Sequence, residues 1–355
     1  MNSAKVIEKF ETAQNALVLQ SSDLSLETIA QMVDSHAIDV APKYQRRERW
    51  KQHAQSELIE SFLLNVPVPP VYLSEDEFGT YSVIDGKQRI TTIHKFLRND
   101  FALGDLSKFP EVNGATFTDL PKPLQNALSI RPYLRVVTLL KQTDPQLKYE
   151  VFTRLNTGGE PLLPQEIRNA LYRGSFNDLL FELGETNFLR EQLKIKTMRE
   201  TSYKEMQDVE SVLRFLCIGA EWKSFNGDMR RSLDAYAAQN KNLTKPKLAA
   251  VKKRFMNSID RCEALWGKNA FKRFDTSTFR EQFMSAVYDA EMIAAAELTE
   301  AKFQAIKKKR ESLYQGTLNL FKDPVFVDAV RVSTNSPSKL NYRIKKVKEM
   351  LDLVA

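Results

Sequence analysis

Between Tyr81 and Leu97 the chain reads Tyr81-Ser82-Val83-Ile84-Asp85-Gly86-Lys87-Gln88-Arg89, then Ile90-Thr91-Thr92-Ile93-His94-Lys95-Phe96-Leu97. The two halves ask for different backbones. Alternating and β-branched residues predict a short strand over Tyr81–Ile84, and Ile90, Ile93, Phe96 and Leu97 recur at helical spacing. Asp85 and Gly86 are therefore the corner between a strand and a helix. Glycine there allows a tight turn, or close approach by a ligand, with no Cβ in the way. The first helical turn directs N–H groups and partial positive charge at whatever lies above the corner. Arg89 adds a planar fork of donors suited to phosphate, and Asp85 a carboxylate able to hold a metal ion or a water. Asp-Gly is equally a common turn and Arg89 an ordinary surface residue type, so the stretch alone supports both readings.

A chain of 355 residues is long enough for two domains, and a 43% hydrophobic share is enough for a proper core. No apolar run approaches the ~18 residues of a membrane span, and the first residues lack a secretory pattern. The expectation is a soluble, cytoplasmic protein with no membrane partner. Cys217 and Cys262 belong to no ligand-spaced motif, so both are expected to be buried and reduced. Charge is uneven: residues 1 to 200 carry a net of −2 and residues 201 to 355 a net of +9. A basic second half suits a polyanionic partner, and it equally suits a lysine-rich helical surface.

In chain order, Ala4–Leu19 reads as a helix with Val6 and Phe10 on its packed side, and Ser25 caps a second helix, Leu26–Ser35. Ile38–Val40 is a short strand leading into Pro42-Lys43-Tyr44-Gln45-Arg46-Arg47-Glu48-Arg49-Trp50, whose cations and aromatics fit either a phosphate clamp or a solvated turn. Ser56–Leu64 is a helix stopped by Asn65 and three following prolines. Val71–Leu73 and Tyr81–Ile84 pair as a hairpin whose tip, Glu75-Asp76-Glu77, is expected to be exposed. Arg131–Leu140 is a further strand, and Asp144 and Pro145 open a helix to Leu155. Asn156-Thr157-Gly158-Gly159 is a second glycine-rich corner, able to reach a sugar or phosphate or merely to cap a helix. A helix at Gln165–Tyr172 follows. Beyond Ser175 the periodicity is helical: Asn177–Leu183, Tyr203–Ala220, Asp228–Gln239, Pro246–Trp266, Thr276–Tyr288, Thr299–Phe321 and Leu340–Leu353. The basic clusters there are Lys252-Lys253-Arg254, Lys307-Lys308-Lys309-Arg310, and Arg343 with Lys345, Lys346 and Lys348. The fold expected is α+β: N-terminal helices over 1–36, a small mixed-sheet domain over 37–175, and an all-α domain over 176–355.

Several motifs in order carry a resemblance: Pro42 to Arg46 with Trp50, Leu58 to Pro69, Asp85 to Arg89 with Thr91 and Thr92, Phe152 to Gly159, and Glu166-Ile167-Arg168-Asn169-Ala170. Together they resemble the amino-terminal domain of GmrSD-type restriction systems, within the ParB/sulfiredoxin-like superfamily. That family's signature is most often Asp-Gly-Gln-Gln-Arg, and Lys87 replaces its third residue here. The substitution leaves the corner intact and puts the nucleotide preference in doubt.

The resemblance implies binding and hydrolysis of a nucleoside triphosphate, with Mg2+, coupled to action on foreign or modified DNA. Carried over by motif, Asp85 would position water or magnesium, Gln88 would orient the reacting group and Arg89 would hold phosphates. Tyr44, Gln45, Arg46, Gly86, Lys87, Thr91, Thr92, Asn156, Thr157 and Gly158 would surround the nucleotide. Two-domain members of the family carry an HNH-type nuclease, which needs histidines. The chain has His36, His53 and His94 and none later, so this nuclease is expected to be absent and supplied by a separate subunit. Lys307 to Arg310 are the expected DNA contacts, and homo-oligomerisation stays open. A P-loop is excluded by motif, and a Rossmann dinucleotide site fails the same test. Two readings compete: a nuclease using Asp85-Gly86-Lys87 with Asp76 as upstream acid, and a nucleotide-switched DNA-binding or adaptor module without turnover.

Overall fold

The computed structural model describes residues 3–40, 50–155, 163–197, 199–275 and 277–355. The chain divides into two units, Met1–Leu171 and Tyr172–Ala355.

The first unit is built from α1 (Ser3–Ala16), β1 (Leu19–Ser25), α2 (Leu26–Asp34), β2 (Ile38–Asp39), α3 (Gln52–Leu63), β3 (Val71–Glu77), β4 (Thr80–Asp85), α4 (Lys87–Leu97), α5 (Lys122–Ile130), β5 (Tyr133–Leu139), α6 (Pro145–Leu155) and α7 (Pro164–Leu171). Its strands form one mixed sheet in the order β1-β5-β3-β4-β2. β1 runs antiparallel to β5 and β3 antiparallel to β4, while β3/β5 and β2/β4 are parallel. Alternation along the strands sends Val71, Leu73, Val83, Leu134 and Val136 into a core shared with α2, α3 and α4. Ile84, pointing the other way, is buried where α6 and α7 pack against β4. β4 is thus packed on both faces, with the shared core on one side and α6 and α7 on the other.

Ser25 caps α2 as expected, its hydroxyl accepting from the Thr28 N–H at 3.1 Å. Asn65 stops the chain after α3 with φ of 55°. Arg98 joins α2 to α4 by pairing with Glu27 at 3.0 Å and Asp34 at 2.7 Å, and His94 lies 2.8 Å from Asp34. Hydrogen bonds from Arg98 and His94 hold the Asp34 carboxyl below the usual range.

Three expectations for this unit are corrected. Residues 19–25 form an edge strand, so the amino-terminal segment is not only helical. Val6 and Phe10 are exposed rather than packed. Glu75 is buried, because its carboxylate accepts from the backbone N–H groups of Gly79 and Lys141 at 3.4 and 3.1 Å.

The second unit is helical: α8 (Ser175–Gly184), α9 (Asn187–Gln192), α10 (Thr201–Lys204), α11 (Gln207–Glu221), α12 (Met229–Asn240), α13 (Lys245–Trp266), α14 (Ser285–Glu297), α15 (Glu300–Lys308), α16 (Arg310–Leu320), α17 (Pro324–Arg331) and α18 (Pro337–Val354). α14 is buried on every side from Ala286 to Ala295 and packs against α11, α13, α17 and α18. Its Asp289 receives Arg214 at 2.7 Å and Arg343 at 2.6 Å, a buried triad closed by further bonds from Arg214 to Asn335 and from Arg343 to the Ala329 and Thr334 carbonyls. Cys217 and Cys262 are free and buried.

Residues 277–284 do not continue a helix into Tyr288: Phe274 and Phe279 pair as an antiparallel bridge and α14 starts at Ser285. The single helices expected over Tyr203–Ala220 and Thr299–Phe321 are each broken, at Met206 with φ of 55° and at Lys309. The second break lets both Phe303 with Ile306 and Leu313 with Thr317 turn inward. Arg343, grouped by sequence with the surface cations, is buried and neutralised by Asp289.

Candidate functional site

β4 hands directly to α4 through Gly86, the one residue between them. Its φ of 92° and ψ of 15° are left-handed, and a Cβ placed there would lie 2.0 Å from Val71 Cγ1. Both conformation and space demand glycine. Just before it the β3–β4 pairing shifts register: Tyr72 faces Asp85 and Leu73 faces Val83, leaving Ile84 as the extra residue. Such a bulge re-aims the side chain that follows it, here Asp85.

Gly86, the N-cap of α4, has no side chain to cap the helix, whose first backbone bond runs from the Ile90 N–H to the Gly86 carbonyl at 3.0 Å. The amides of the first turn thus have no partner inside the helix, and the dipole adds positive potential over the corner. Arg89 lies one turn on from Asp85. Its Nη2 donates to Asp85 Oδ2 at 2.7 Å and to the Pro70 carbonyl at 3.2 Å. The Arg89 side chain is 16% exposed and that of Asp85 is 37% exposed. Arg89 Nε is buried and makes no hydrogen bond among the described residues. The guanidinium therefore holds donor capacity that Asp85 does not use.

Lys87, Gln88 and Thr91 are half-buried around the same turn. Thr92 is fully buried on the inward face of α4, with no hydrogen bond to its hydroxyl among the described residues. That burial takes Thr92 out of the set a ligand above the corner could touch. Tyr44, Gln45 and Arg46, and Asn156, Thr157 and Gly158, lie outside the described residues. The chain enters the first of these segments from β2, which pairs with β4, and the second from α6, which packs against β4.

Sequence reading attached no role to the polar run in α7. Gln165, Glu166, Arg168 and Asn169 are all buried, on a helix that packs against β4. Glu166 accepts from the Leu163 N–H at 2.8 Å, Arg168 donates to Gln165 at 3.2 Å, and Gln165 donates to Asn169 at 2.8 Å. Four buried polar side chains in eight residues are expensive unless they build something, and the sequence shows the polar run but not its burial.

Asp76 accepts from the Ser82 hydroxyl at 3.2 Å. Because Asp85 pairs with Tyr72, Asp76 sits four residues along β3 from it, or about 13 Å. The two acids do not share one centre. Among the described residues, no group of three or more His, Cys, Asp or Glu side chains is arranged to hold a metal ion. In the second unit Lys307, Lys308, Lys309 and Arg310 are all exposed where α15 breaks to α16. No described helix is long and apolar enough to cross a membrane.

Residues 29–173 match the family model of the GmrSD restriction endonuclease N-terminal domain. No curated protein and no solved structure matches the chain. The matched residues contain the whole β3–β4 hairpin, the Gly86 corner, α4 and the polar helix α7. Residues 29–173 of this chain are a member of the GmrSD N-terminal domain family, the domain of a restriction-system component.

Proposed function

We propose that the first unit binds a nucleoside triphosphate over the first turn of α4 and hydrolyses it, serving a DNA-targeting restriction system. The observation that carries this reading is the Gly86 corner. A backbone position closed to any Cβ stands at the first turn of a helix, whose amides have no partner inside the helix, beside an arginine with a spare donor. In this reading phosphate oxygens take the α4 amides and Arg89, which turns from Asp85 to meet them, and Asp85 so released orients the attacking water with Gln88. Phosphoryl transfer is mostly positioning and charge neutralisation, and these residue types supply both. Mg2+ fits the corner, because it is commonly held by one or two carboxylates together with substrate phosphates, and Asp85 offers such a carboxylate. Bound there, it would neutralise phosphate charge. The basic second unit would face DNA, and cleavage would fall to a separate nuclease subunit.

Phosphate release from ATP, GTP, CTP and UTP with magnesium, with and without DNA, tests this reading. Arg89→Ala is expected to lower turnover by at least about 100-fold. A second reading draws on the Arg89–Asp85 pair at 2.7 Å, a contact that must open before either side chain can serve a ligand. Such a contact also suits a switch that binds nucleotide without turning it over. Stoichiometric binding with no phosphate release, in folded wild type, would favour the switch.

A further inference from the structure

One face of α16 does not behave as ordinary helix surface. Arg310, Leu313, Tyr314 and Thr317 fall at i, i+3, i+4 and i+7 and so line up along one side. Leu313 and Thr317 are buried and Tyr314 is 42% exposed. Against this face the structure leaves a cavity of about 260 Å³ whose walls include Trp266, Phe279, Tyr314, Asn269, Arg310 and Glu311. Its rings are held in place. The Trp266 Nε1–H donates to Thr317 Oγ1 at 3.1 Å. Phe279 is fixed by its bridge with Phe274 and lies 6.4 Å, centroid to centroid, from Tyr314.

The polar groups around these rings are chemically mixed. The Asn269 amide makes no hydrogen bond among the described residues, and the Glu311 carboxylate is kept in place by Gln315 Nε2 at 2.9 Å. Arg310 stands at the rim, with Lys307 and Lys308 exposed just before it. Lys308 and Arg310 form no ion pair among the described residues. A plain apolar side chain would fill the rings and leave the amide, the carboxylate and the cations unused. A nucleobase uses all of them: a flat face for Tyr314, an edge of donors and acceptors for Asn269 and Glu311, and flanking phosphates for the cations.

We infer that this pocket takes a base unstacked from a DNA strand whose phosphates run along Lys307 to Arg310. A base inside a duplex has both faces covered by its neighbours, so the pocket selects single-stranded or extruded nucleotides. The choice of DNA rests on the function proposed above; the pocket itself is independent of nucleotide hydrolysis at Gly86.

Fluorescence anisotropy of a labelled oligo(dT) of about 16 nucleotides, and of a duplex of equal length, tests this on the full chain. Wild type should bind the single strand more tightly than the duplex. Tyr314→Ala should weaken single-strand binding roughly 5- to 100-fold, the scale of one lost base–aromatic stack, while Tyr314→Phe keeps it. Lys308→Glu should weaken binding and flatten its salt dependence. Arg310→Glu, at an exposed position, serves as a second variant should Tyr314→Ala fold poorly, and is expected to weaken binding likewise. Arg89→Ala should bind the oligonucleotide as wild type does, whatever its phosphate release, which separates the two proposals. Tyr314→Ala or Arg310→Glu at wild-type affinity, a preference for duplex, or no binding by wild type would each overturn the inference.

Discussion

Gly86 shows how far one position can constrain a site. Alanine there would need both a left-handed backbone and room that Val71 Cγ1 already occupies, at 2.0 Å from the added carbon. Gly114 is the matching control: its φ is +87°, with nothing within 4 Å of an added Cβ. Gly114→Ala should cost about 1–2 kcal/mol of backbone strain, and Gly86→Ala that amount plus about 1–3 kcal/mol of overpacking. Chemical denaturation of the two variants checks the difference, and equal losses would contradict the close approach. Glu291 makes a second residue-level case. It is buried, accepts from the Phe271 N–H at 2.7 Å, and burial pushes its carboxyl up to about 8. Below its unfolded value both states hold the proton and its contribution is fully present. Between that value and about 8 only the folded chain holds it, so stability falls as pH rises, by about 1.4 kcal/mol per unit of raised pKa. Glu291→Gln keeps the acceptor and should flatten thermal stability between pH 5 and 9 relative to wild type. An unchanged slope would remove the assignment. Gly86 was legible because Asp-Gly stood between a strand pattern and a helix pattern. Glu75 and Arg343 were not, since each is buried by a partner from elsewhere in the chain, Lys141 for Glu75 and Asp289 for Arg343, and Thr92 was not, since packing alone buries it on the inward face of α4.

Among the elements, the β3–β4 hairpin and α4 follow directly from alternation and from helical spacing. β1 does not, because Leu-Gln-Ser-Ser-Asp-Leu-Ser has no apolar alternation; it is an edge strand whose hydrogen bonds to β5, not its side chains, make it a strand. α14 is the reverse case. A helix buried on every side, Asp289 and Glu291 included, carries no periodicity to read, so the helix expected over Thr276–Tyr288 overlaps only the first turn of α14 and covers Phe279 of the Phe274–Phe279 bridge. The break at Lys309 was missed for a related reason: continuous helical composition says nothing about which way each half must turn to bury Ile306 and Leu313. Caps were more readable. Ser25 was chosen by type and is the observed N-cap of α2, so Ser25→Ala should lower the stability of the first unit by about 1 kcal/mol. Urea unfolding measures this, and a loss under a few tenths of a kcal/mol would show that the cap is replaced by water.

On the scale of the whole molecule, the chain carries one unit with a mixed sheet and a Gly86 corner, and one helical unit with most of the excess positive charge. The corner was legible because all its parts lie within nine consecutive residues. The Trp266–Phe279–Tyr314 pocket was not, because its walls are assembled from three separated segments and only Arg310 belonged to a visible cluster. The account assigns triphosphate to the first unit and a DNA base to the second, and the first assignment is central. The measurement that tests it most directly is a crystal structure of the chain with magnesium and a non-hydrolysable nucleoside triphosphate. The account predicts phosphate oxygens over the first turn of α4, beside Gly86, with Arg89 turned from Asp85 toward them. Phosphates bound elsewhere, with the Arg89–Asp85 pair intact, would contradict it.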